Sequence, residues 1–554
     1  MAASELRRQV EPRVDTLLRY LHTLQYLRPR QLIGRAWLRL HHPMPDTRAA
    51  PARRPVSQAF QAPVAGTPAL VAAERFRFLN VERSCATASD WRPQGADKLW
   101  IYNLHYFDDL TARDAKARRT WHQRLFERWV AENEPGEGVA WDSFPLSRRV
   151  VNWVKWSLRG GELPATCEAS LAVQARWLRR RLEYHLLGNH LLANAKALVH
   201  AGLYFAGPEA ERWYAQGMSL MARELREQIL SDGGHFERSP MYHALVLEDL
   251  LDVINLLRAY DRPPAREWFG VIAAMRRWLK VMSHPDGEVA FFNDAAFNVA
   301  PTSVALEAFA ARLGLDPVSD PAETLVTLEP SGYLRARLGP AYLLCDCAPV
   351  GPDHQPGHAH ADTLSFELSL AGARLLVNSG TSQYKSDPER QLQRSTAAHN
   401  TVVVDNQNSS EVWAGFRVAR RARAHLQTAC ATPHEVLIAG SHDGYRRLPG
   451  RNQHSRQWRL DERSLSIADQ LSGGFGTAVA HFHLHPDVGV RQLSADSMEL
   501  IPRAGASARM TFEGAAAVEL RPSHWYPEFG LAVANCCVAV RFAGDALTTR
   551  VVWM

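Results

Sequence analysis

The sequence predicts an α+β protein of at least two domains, with a helical first part and an antiparallel β second part. The chain has 554 residues, which is more than one hydrophobic core usually serves. Apolar residues recur at helical spacing from about residue 98 to 325, and from about residue 327 they alternate with a period of two. Hydrophobic residues make up 46% of the chain and charged residues 22%, so there is ample material for packed cores.

The first 55 residues form a basic head. Eleven arginines stand against four acidic residues between positions 1 and 54, a local charge of +7, whereas the whole chain carries +6. Such a head could approach nucleic acid, anionic lipid or an acidic glycan, or it could be only the solvated face of amphipathic helices. No zinc-finger, helix-turn-helix or RNA-binding motif supports nucleic acid, so we expect none as a partner.

Residues 56–326 are expected to form the helical domain, after a Pro/Ala/Arg-rich passage at 41–68 that is typical of a loop. In SPMYHALVLEDLLDVINLLRAY, Ser239 fits a helix cap and Pro240 the first helical position. GNHLLANAKALVHAGLYFAG predicts another helix from residue 188, and further helical periods occur near 118–134, 148–158, 168–186, 208–230, 265–282 and 302–313. Consecutive amphipathic helices without strands predict helix hairpins stacked into a ring or solenoid.

Residues 327–554 are expected to form an antiparallel β-sandwich. Its strand-like segments, separated by Gly, Pro, Asp and Asn turns, are GYLRARLGPAYLLCDCAPV, DTLSFELSLAGARLLVNSG, HNTVVVDNQ, RSLSIADQL, AVAHFHLHPDVGVRQL and LAVANCCVAVRF. The seven cysteines are predicted to be free, because the pairs at 345/347 and 536/537 lie in apolar strands as buried thiols.

Several function classes lack their motif. The sequence contains no Gly-rich phosphate loop, no H-E-x-x-H and no G-x-S-x-G, which argues against nucleotide use, zincin chemistry and a serine-hydrolase site. No run of eighteen apolar residues and no apolar signal core occurs. We therefore expect no transmembrane segment and a cytoplasmic location, with the periplasm or cell surface as the alternative.

Two polar residues at predicted helix starts are candidates for chemistry. Asn189 follows a glycine where a helix begins, so its amide could either cap the helix or serve a site. Tyr242 falls in the first turn of the helix begun by Ser239, where the positive end of the helix dipole would favour a phenolate and ease proton transfer. The alternative is a packed tyrosine with an exposed hydroxyl.

The stretch GHAHADTLSFELSL, residues 357–370, offers two histidines. If its strand begins early, His358 and His360 share the polar face and could place two imidazoles on one metal; solvated loop histidines are the alternative. Further polar residues lie at later strand ends, namely Asn378, Arg394 and His399.

In combination these motifs resemble the heparinase II/III-like family of polysaccharide lyases. The resemblance is carried by YNLHYFDDL, FPLSRRVVNW, GNHLLANAKAL, GGHFERSPMYH, and GHAHADTLSFEL through NSGTSQY to HNTVVV. The family fold is an incomplete (α/α) toroid followed by an antiparallel β-sandwich, which agrees with the change of period. The resemblance implies β-elimination at a uronic acid of an acidic polysaccharide, either heparan- or heparosan-like or an exopolysaccharide.

The resemblance also implies residue roles. Asn189 would hydrogen-bond the uronate carboxylate, and Tyr242 would protonate the leaving oxygen and could also abstract the proton. His358 would be a second base for the epimer whose proton and leaving group lie on opposite faces, or a charge-neutralising partner. Secondary contacts with substrate are expected from Arg148, Arg149, His190, Glu237, Arg238 and Arg394.

No cofactor is required by this chemistry, but some relatives hold a structural zinc in the sandwich. The corresponding positions here are His360, Asn378 and His399. An amide is a much poorer zinc ligand than a carboxylate, so loss of the site, a weaker site, or recruitment of Asp362 all stay open.

Three functions compete. The first is a lyase for a uronate-containing polysaccharide. The second is a non-catalytic glycan-binding or processing protein of exopolysaccharide biosynthesis, favoured by the missing secretion signal and by the basic, aromatic segment LLRYLHTLQYLRPRQLIGRAWLRL. The third, a zinc hydrolase centred on His358 and His360, would need a full ligand set, which Asn378 weakens.

Overall fold

The computed structural model describes residues 16–553 and confirms the predicted fold class, a helical domain followed by antiparallel sheets. Residues 1–15 of the predicted basic head lie outside the described residues. The helices are α1 (16–24), α2 (Pro29–Leu40), α3 (Lys98–Tyr106), α4 (Arg119–Glu132), α5 (Ser143–Leu158), α6 (Ala165–Arg180), α7 (Gly188–Tyr204), α8 (Pro208–Gln228), α9 (Pro240–Ala259), α10 (Arg266–Val281), α11 (Ser303–Arg312) and α12 (Pro388–Gln393).

The helical domain has an inner and an outer row of helices. Helices α3, α5, α7, α9 and α11 contact one another in that order, and α6, α8 and α10 pack outside them. α7 and α9 are apolar around most of their circumference and buried along nearly their whole length, as an inner helix requires. Gly202 allows α8 to approach closely, since a Cβ there would lie 2.3 Å from the backbone nitrogen of Tyr214. Alternate rows of this kind form an open (α/α) toroid.

The helical domain also carries one small sheet that the periodicity did not predict. It is antiparallel and consists of β1 (Leu70–Ala72), β2 (Arg75–Phe78) and β3 (Val81–Ser84). These strands are only three or four residues long, which is too short for a period of two to be distinguished from loop.

The later strands form three larger antiparallel sheets and one two-stranded ribbon. In order along each sheet they run β4-β5-β6-β7-β8, β12-β13-β14-β15-β22-β19-β18-β17, β20-β21-β16-β9 and β10-β11. Their bounds are β4 (Leu325–Leu328), β5 (Tyr333–Leu338), β6 (Ala341–Asp346), β7 (Phe366–Leu370), β8 (Ala373–Leu376), β9 (Val402–Val404), β10 (Val412–Trp413), β11 (Arg417–Val418), β12 (Ala424–Ala431), β13 (Glu435–His442), β14 (Gln453–Asp461), β15 (Ser464–Ser472), β16 (Ala478–His483), β17 (Val488–Ser494), β18 (Ser497–Pro502), β19 (Ala508–Glu513), β20 (Ala515–Trp525), β21 (Val533–Phe542) and β22 (Ala546–Trp553).

The change from helix to strand occurs between α11 and β4, and the boundary predicted at 326/327 falls within β4. A single apolar cluster fills the space between the sheets, with Phe366, Trp458 and Phe482 among its largest members. No helix in the range 16–553 is long and apolar enough to span a bilayer.

The strand in the stretch 357–370 differs from its prediction. β7 begins only at Phe366, so His358 and His360 lie in the preceding turn and loop and share no strand face. The predicted polar face is buried as well, because Glu367 accepts a hydrogen bond from His284 of the helical domain at 2.9 Å (Oε2 to Nε2). The helical domain therefore covers the face of β7 on which the alternating sequence places its polar residues.

The basic head packs over both domains. On the sandwich side, the Tyr20 ring meets Trp413 edge-on at 4.8 Å between ring centroids. On the helical side, the Arg30 guanidinium lies 4.1 Å from the centre of the Tyr184 ring. All seven cysteines are free, but Cys536 is exposed, which corrects its predicted burial. Its neighbour Cys537 is buried because successive residues of β21 point to opposite faces.

Candidate active site

A group of polar side chains meets where the helical domain contacts the sandwich. Its members come from the start of α7, the loop before α9 and the first turn of that helix, the segment after α10, the loop before β7, the segment between β8 and α12, and α12 itself. They are Asn189, Glu237, Tyr242, Asp294, His358, Tyr384 and Arg390.

Asn189 lies in a sharply turned helix start. Leu187 and Gly188 both have positive φ, of 66° and 54°, a conformation that costs little only for glycine. Leu187 occupies the cap position and no side chain caps the helix, so the capping alternative for Asn189 is wrong. The backbone N–H of Asn189 donates to Glu237 Oε1 at 3.3 Å, and its own Oδ1 is buried without a partner.

Glu237 is a buried carboxyl with one oxygen free. It is 1% exposed, and its Oε2 accepts no hydrogen bond although His358 Nε2 lies 3.6 Å away. Burial raises the pKa of Glu237, and the neighbouring His358 offsets only part of that shift. Glu237 is thus easier to protonate than an exposed carboxyl.

Tyr242 lies on the first turn of α9, where Ser239 caps the helix as predicted by accepting the N–H of Tyr242 at 3.2 Å. Its ring stacks on the His358 imidazole with 3.9 Å between centroids, and its hydroxyl lies 2.9 Å from the hydroxyl of Tyr384. Burial raises the pKa of Tyr242 well above its ordinary value. Burial therefore outweighs the helix dipole, which was expected to favour the phenolate. Tyr242 starts as a neutral phenol that can donate its proton.

His358 is oriented by a carboxylate. Its Nδ1 lies 2.8 Å from Asp294 Oδ2, so the Nδ1 proton is donated to that oxygen and Nε2 carries the lone pair. The exposed fraction of the side chain is 11%, which keeps this nitrogen within reach of the cleft. A histidine held in this way can accept a proton through Nε2.

Asp294 connects the site. It accepts hydrogen bonds from His358, from His360 Nε2 at 2.8 Å, from Thr381 at 3.1 Å and from Arg390 Nη2 at 2.7 Å. Burial alone would raise the pKa of Asp294, but the Arg390 guanidinium and the two histidine hydrogen bonds hold it well below the usual range. Asp294 is a permanent anion at neutral pH.

Three of these residues were absent from the sequence predictions. Asp294 stands alone as an acid in the apolar stretch FFNDAAF, a weak signal of a buried polar role. Tyr384 lies in the segment NSGTSQY that carried the resemblance, but it was not singled out. Arg390 on the short helix α12 gave no signal at all.

The predicted substrate residues divide into two groups. Arg148 is partly exposed and pairs with Asp108 at 3.1 Å, and His190 lies beside Glu183 at 3.1 Å. Burial lowers the pKa of His190, but Glu183 outweighs it and raises the pKa above its usual value. Both side chains place N–H donors at partly exposed positions, where each is already paired with a carboxylate.

The other three arginines do not face the cleft, which corrects their predicted contact with substrate. Arg149 is fully buried against Trp129 and donates to Gln174 and to two carbonyls. Arg238 donates to backbone carbonyls of the 236 and 330–331 segments. Arg394 is fully buried and donates to Ala359 and Arg417 carbonyls. Their donors hold the surrounding loops in place.

The predicted zinc ligands meet only in part. His360 Nδ1 and His399 Nε2 lie 3.1 Å apart, close to the roughly 3.3–3.4 Å between two nitrogens on a tetrahedral zinc. Asn378 is already engaged, since its Oδ1 accepts the Asn400 N–H at 3.0 Å. Asp362, the alternative ligand, accepts the Asn293 N–H at 3.0 Å. The two imidazoles fit a zinc while the third ligand stays open, so zinc here remains a prediction.

Comparison with known proteins agrees with the two-domain fold. The model of the family described as "Heparinase II/III N-terminus" matches residues 110–310, and that described as "Heparinase II/III-like, C-terminal" matches residues 320–554. Among solved structures, one titled "Crystal Structure of Heparinase III" superimposes with a TM-score of 0.70 at 18% sequence identity, covering 85% of this chain and 81% of that one. The fold is thus shared over both domains.

Two curated relatives differ in name and coverage. A "Heparin-sulfate lyase" of Bacteroides stercoris is 27% identical over 246 residues, which is 41% of this chain and 37% of the relative's length. "FtsZ-localized protein C" of Caulobacter vibrioides is 26% identical over 423 residues, which is 70% of each chain. The chain therefore spans less than half of the lyase relative but most of the other protein.

Proposed function

Because the chain belongs to the heparinase II/III-like family, we propose that it is a polysaccharide lyase that cleaves a uronic-acid-containing glycan by β-elimination. The observation that carries this proposal is the stacked pair of Tyr242 and His358 at 3.9 Å, beside Asn189 and Glu237. An acid, a base and two carboxylate-binding groups then lie within the reach of one sugar.

The reaction breaks one C–O bond without adding water. A base removes the proton from C5 of the uronate, the C4–O4 bond breaks, a C4=C5 double bond forms, and O4 leaves with a proton. Tyr242 supplies the proton to O4, because burial keeps its phenol protonated. His358 takes the C5 proton through Nε2, since Asp294 occupies its Nδ1.

The C5 proton is acidic enough only when the neighbouring carboxylate is neutralised. The Asn189 side chain can donate a hydrogen bond to that carboxylate, and Glu237 can donate another in its protonated form, which its raised pKa makes easier to reach. Donors in a buried site stabilise the developing charge more than donors in water do. Arg148 and His190 add N–H donors at the partly exposed side, each paired with a carboxylate.

The substrate class we propose is a heparan-sulfate-like glycan or a uronate-containing exopolysaccharide. The name of the lyase relative supports the first, and His190, whose pKa Glu183 raises, suits either polymer. The zinc expected at His360 and His399 takes no part in the reaction; if bound, it would fix the loop that carries His358.

The test uses two uronate polymers that differ only at C5. In one epimer the C5 proton and O4 lie on the same face of the sugar, and in the other they lie on opposite faces. His358→Ala should abolish cleavage of the opposite-face epimer and reduce cleavage of the same-face epimer less, because there the small ionised fraction of Tyr242 can take the C5 proton and pass it to O4. Products whose summed mass exceeds the substrate by one water per cleavage would instead indicate hydrolysis and contradict the proposal.

A second function is favoured by one observation. The relative with the widest coverage, FtsZ-localized protein C, is not named as a lyase. The chain could accordingly bind or process a glycan of polymer biosynthesis without elimination. Retained glycan binding with no unsaturated product from any uronate polymer would support this alternative.

A further inference from the structure

Three metal-ligating side chains lie together on a sheet away from the proposed catalytic residues. β16 and β21 pair antiparallel with His483 opposite Cys537, and His481, two residues earlier, projects from the same face. Cys537 Sγ lies 3.6 Å from His481 Nδ1 and 3.8 Å from His483 Nε2. All three residues are buried, and among residues 16–553 they are the only group of three or more His, Cys, Asp or Glu found with ligand atoms mutually within 4.8 Å.

We propose that His481, His483 and Cys537 bind a zinc ion. A tetrahedral zinc with Zn–S of about 2.3 Å and Zn–N of about 2.0–2.1 Å places sulfur and nitrogen about 3.6 Å apart. The two observed distances from Cys537 Sγ to the histidine nitrogens, 3.6 and 3.8 Å, are close to this value. Two imidazoles and one thiolate favour zinc over magnesium or calcium, which prefer oxygen ligands.

The surroundings agree with a zinc ion. Burial lowers the pKa of His481 to about 3 and that of His483 to about 4, so both rings are neutral and hold a lone pair. Burial raises the pKa of the Cys537 thiol to about 12, so the thiol keeps its proton until the sulfur–zinc bond forms and the proton is released to solvent. The nearby Arg521 is already paired with Glu519 at 2.7 Å, so its positive charge is compensated. His481 is 8% exposed, which leaves a route for water as the fourth ligand.

Zinc binding would change one contact. His483 Nε2 now lies 2.9 Å from the Ala397 carbonyl, and coordination through this nitrogen replaces that hydrogen bond. The His483 backbone N–H meanwhile stays bonded to Asn400 Oδ1 at 2.6 Å. The ion would thus cross-link β16 to β21 beside the turn that carries His399. It is distinct from the pair His360 and His399, which has no thiolate.

The thiolate provides the test. The untagged full-length protein is stripped with a chelator under reducing conditions and titrated with Co²⁺, a spectroscopic substitute for zinc. We expect stoichiometric binding with the near-ultraviolet thiolate-to-cobalt charge-transfer band and the intense visible bands of a tetrahedral site. A wild-type protein that shows no such charge-transfer band overturns the proposal, even if cobalt binds elsewhere.

Matched variants locate the site. Cys537→Ser should remove the charge-transfer band, whereas Cys536→Ser, its exposed neighbour on the opposite face, should leave it unchanged. His481→Gln should shift or weaken the bands and provides a second variant should Cys537→Ser fail to fold by circular dichroism. A band that persists in Cys537→Ser, or that disappears in Cys536→Ser, contradicts the assignment.

Discussion

Asp294 makes more hydrogen bonds to side chains than any other residue described at the site. It receives hydrogen bonds from two histidines, a threonine and Arg390; of these five side chains only that of His358, at 11% exposure, reaches solvent. The carboxylate both balances a buried guanidinium and fixes the tautomer of His358. Stability and proposed catalysis therefore depend on the same group.

Asp294→Asn should lower both properties. The amide leaves the Arg390 charge buried without an anion, so we expect a loss of about 3–5 kcal/mol in the free energy of unfolding and a fall in kcat of about 100-fold or more. Urea unfolding and initial rates measure the two effects.

The matched control is Asp109→Asn in the helical domain, where a buried aspartate likewise binds an arginine and a histidine, Arg118 and His122. It should cost comparable stability and leave kcat unchanged. Equal loss of kcat in both variants would mean that Asp294 acts only through folding.

At the residue scale the sequence pointed to Asn189, Tyr242 and His358, because each lies in a local motif that carries the family resemblance. Asp294 and His358 are 64 residues apart, and nothing local connects them. The three arginines at 149, 238 and 394 were misjudged for a related reason, since sequence does not distinguish an arginine facing a cleft from one binding buried carbonyls.

Among the elements, α9 positions the proposed acid. Ser239 accepts the Tyr242 N–H and donates its hydroxyl proton to the Asp294 carbonyl at 2.5 Å. The cap therefore joins the first turn of the helix to the segment that orients His358.

Ser239→Ala should cost about 1 kcal/mol of stability and also reduce kcat, because both Tyr242 and Asp294 lose a fixed contact. Thr302 caps α11 in the same way, because its hydroxyl accepts a hydrogen bond from the Ala305 N–H at 3.3 Å. Thr302→Ala should match the stability loss and keep full activity. Equal activity in the two variants would show that the Ser239 cap does not support the proposed active site.

The strands β14 and β15 are joined by a buried ion pair that makes stability depend on pH. Asp469 binds Arg456 at 2.7 Å. Burial alone would raise the pKa of Asp469, but Arg456 and His454 outweigh burial and lower this pKa from 3.8 to about 2. A depressed pKa stabilises the fold above the unfolded-state value, and this contribution disappears as pH falls toward 2.

Between pH 5 and pH 2 we expect the pair to account for about 2 kcal/mol of lost stability. Urea unfolding of the double variant Asp469→Asn/Arg456→Met should show a correspondingly smaller loss than wild type over this range. Asp545→Asn, which changes an exposed aspartate, serves as the control with wild-type behaviour. A double variant that loses as much unfolding free energy as the wild type between pH 5 and pH 2 would contradict the assignment.

The elements themselves were largely predictable. Long amphipathic segments such as α9 begin at the predicted cap because periodicity and capping agree locally. β7 was harder, since its polar alternation suggested a solvated face that the helical domain covers. The strand-borne pair His481 and His483 shows the same limit: the metal interpretation was attached to His358 and His360, and only the pairing of β16 with β21 reveals where Cys537 lies.

On the scale of the whole molecule, the site exists only where two domains meet. Asn189, Glu237 and Tyr242 belong to the helical domain, and His358 and Tyr384 to the part that follows β4. The change of period predicted both domains, but the alignment of one against the other depends on contacts across hundreds of residues, which no local pattern encodes.

The most direct test is the ultraviolet absorbance of the C4=C5 double bond, followed while the protein acts on a panel of uronate polymers. The account predicts rising absorbance with the wild-type protein on at least one polymer, an initial rate lower by about 100-fold or more in Tyr242→Phe, and an unchanged rate in Tyr260→Phe, whose buried hydroxyl has no partner. Undiminished absorbance in Tyr242→Phe, or none from the wild-type protein on any polymer, would contradict it.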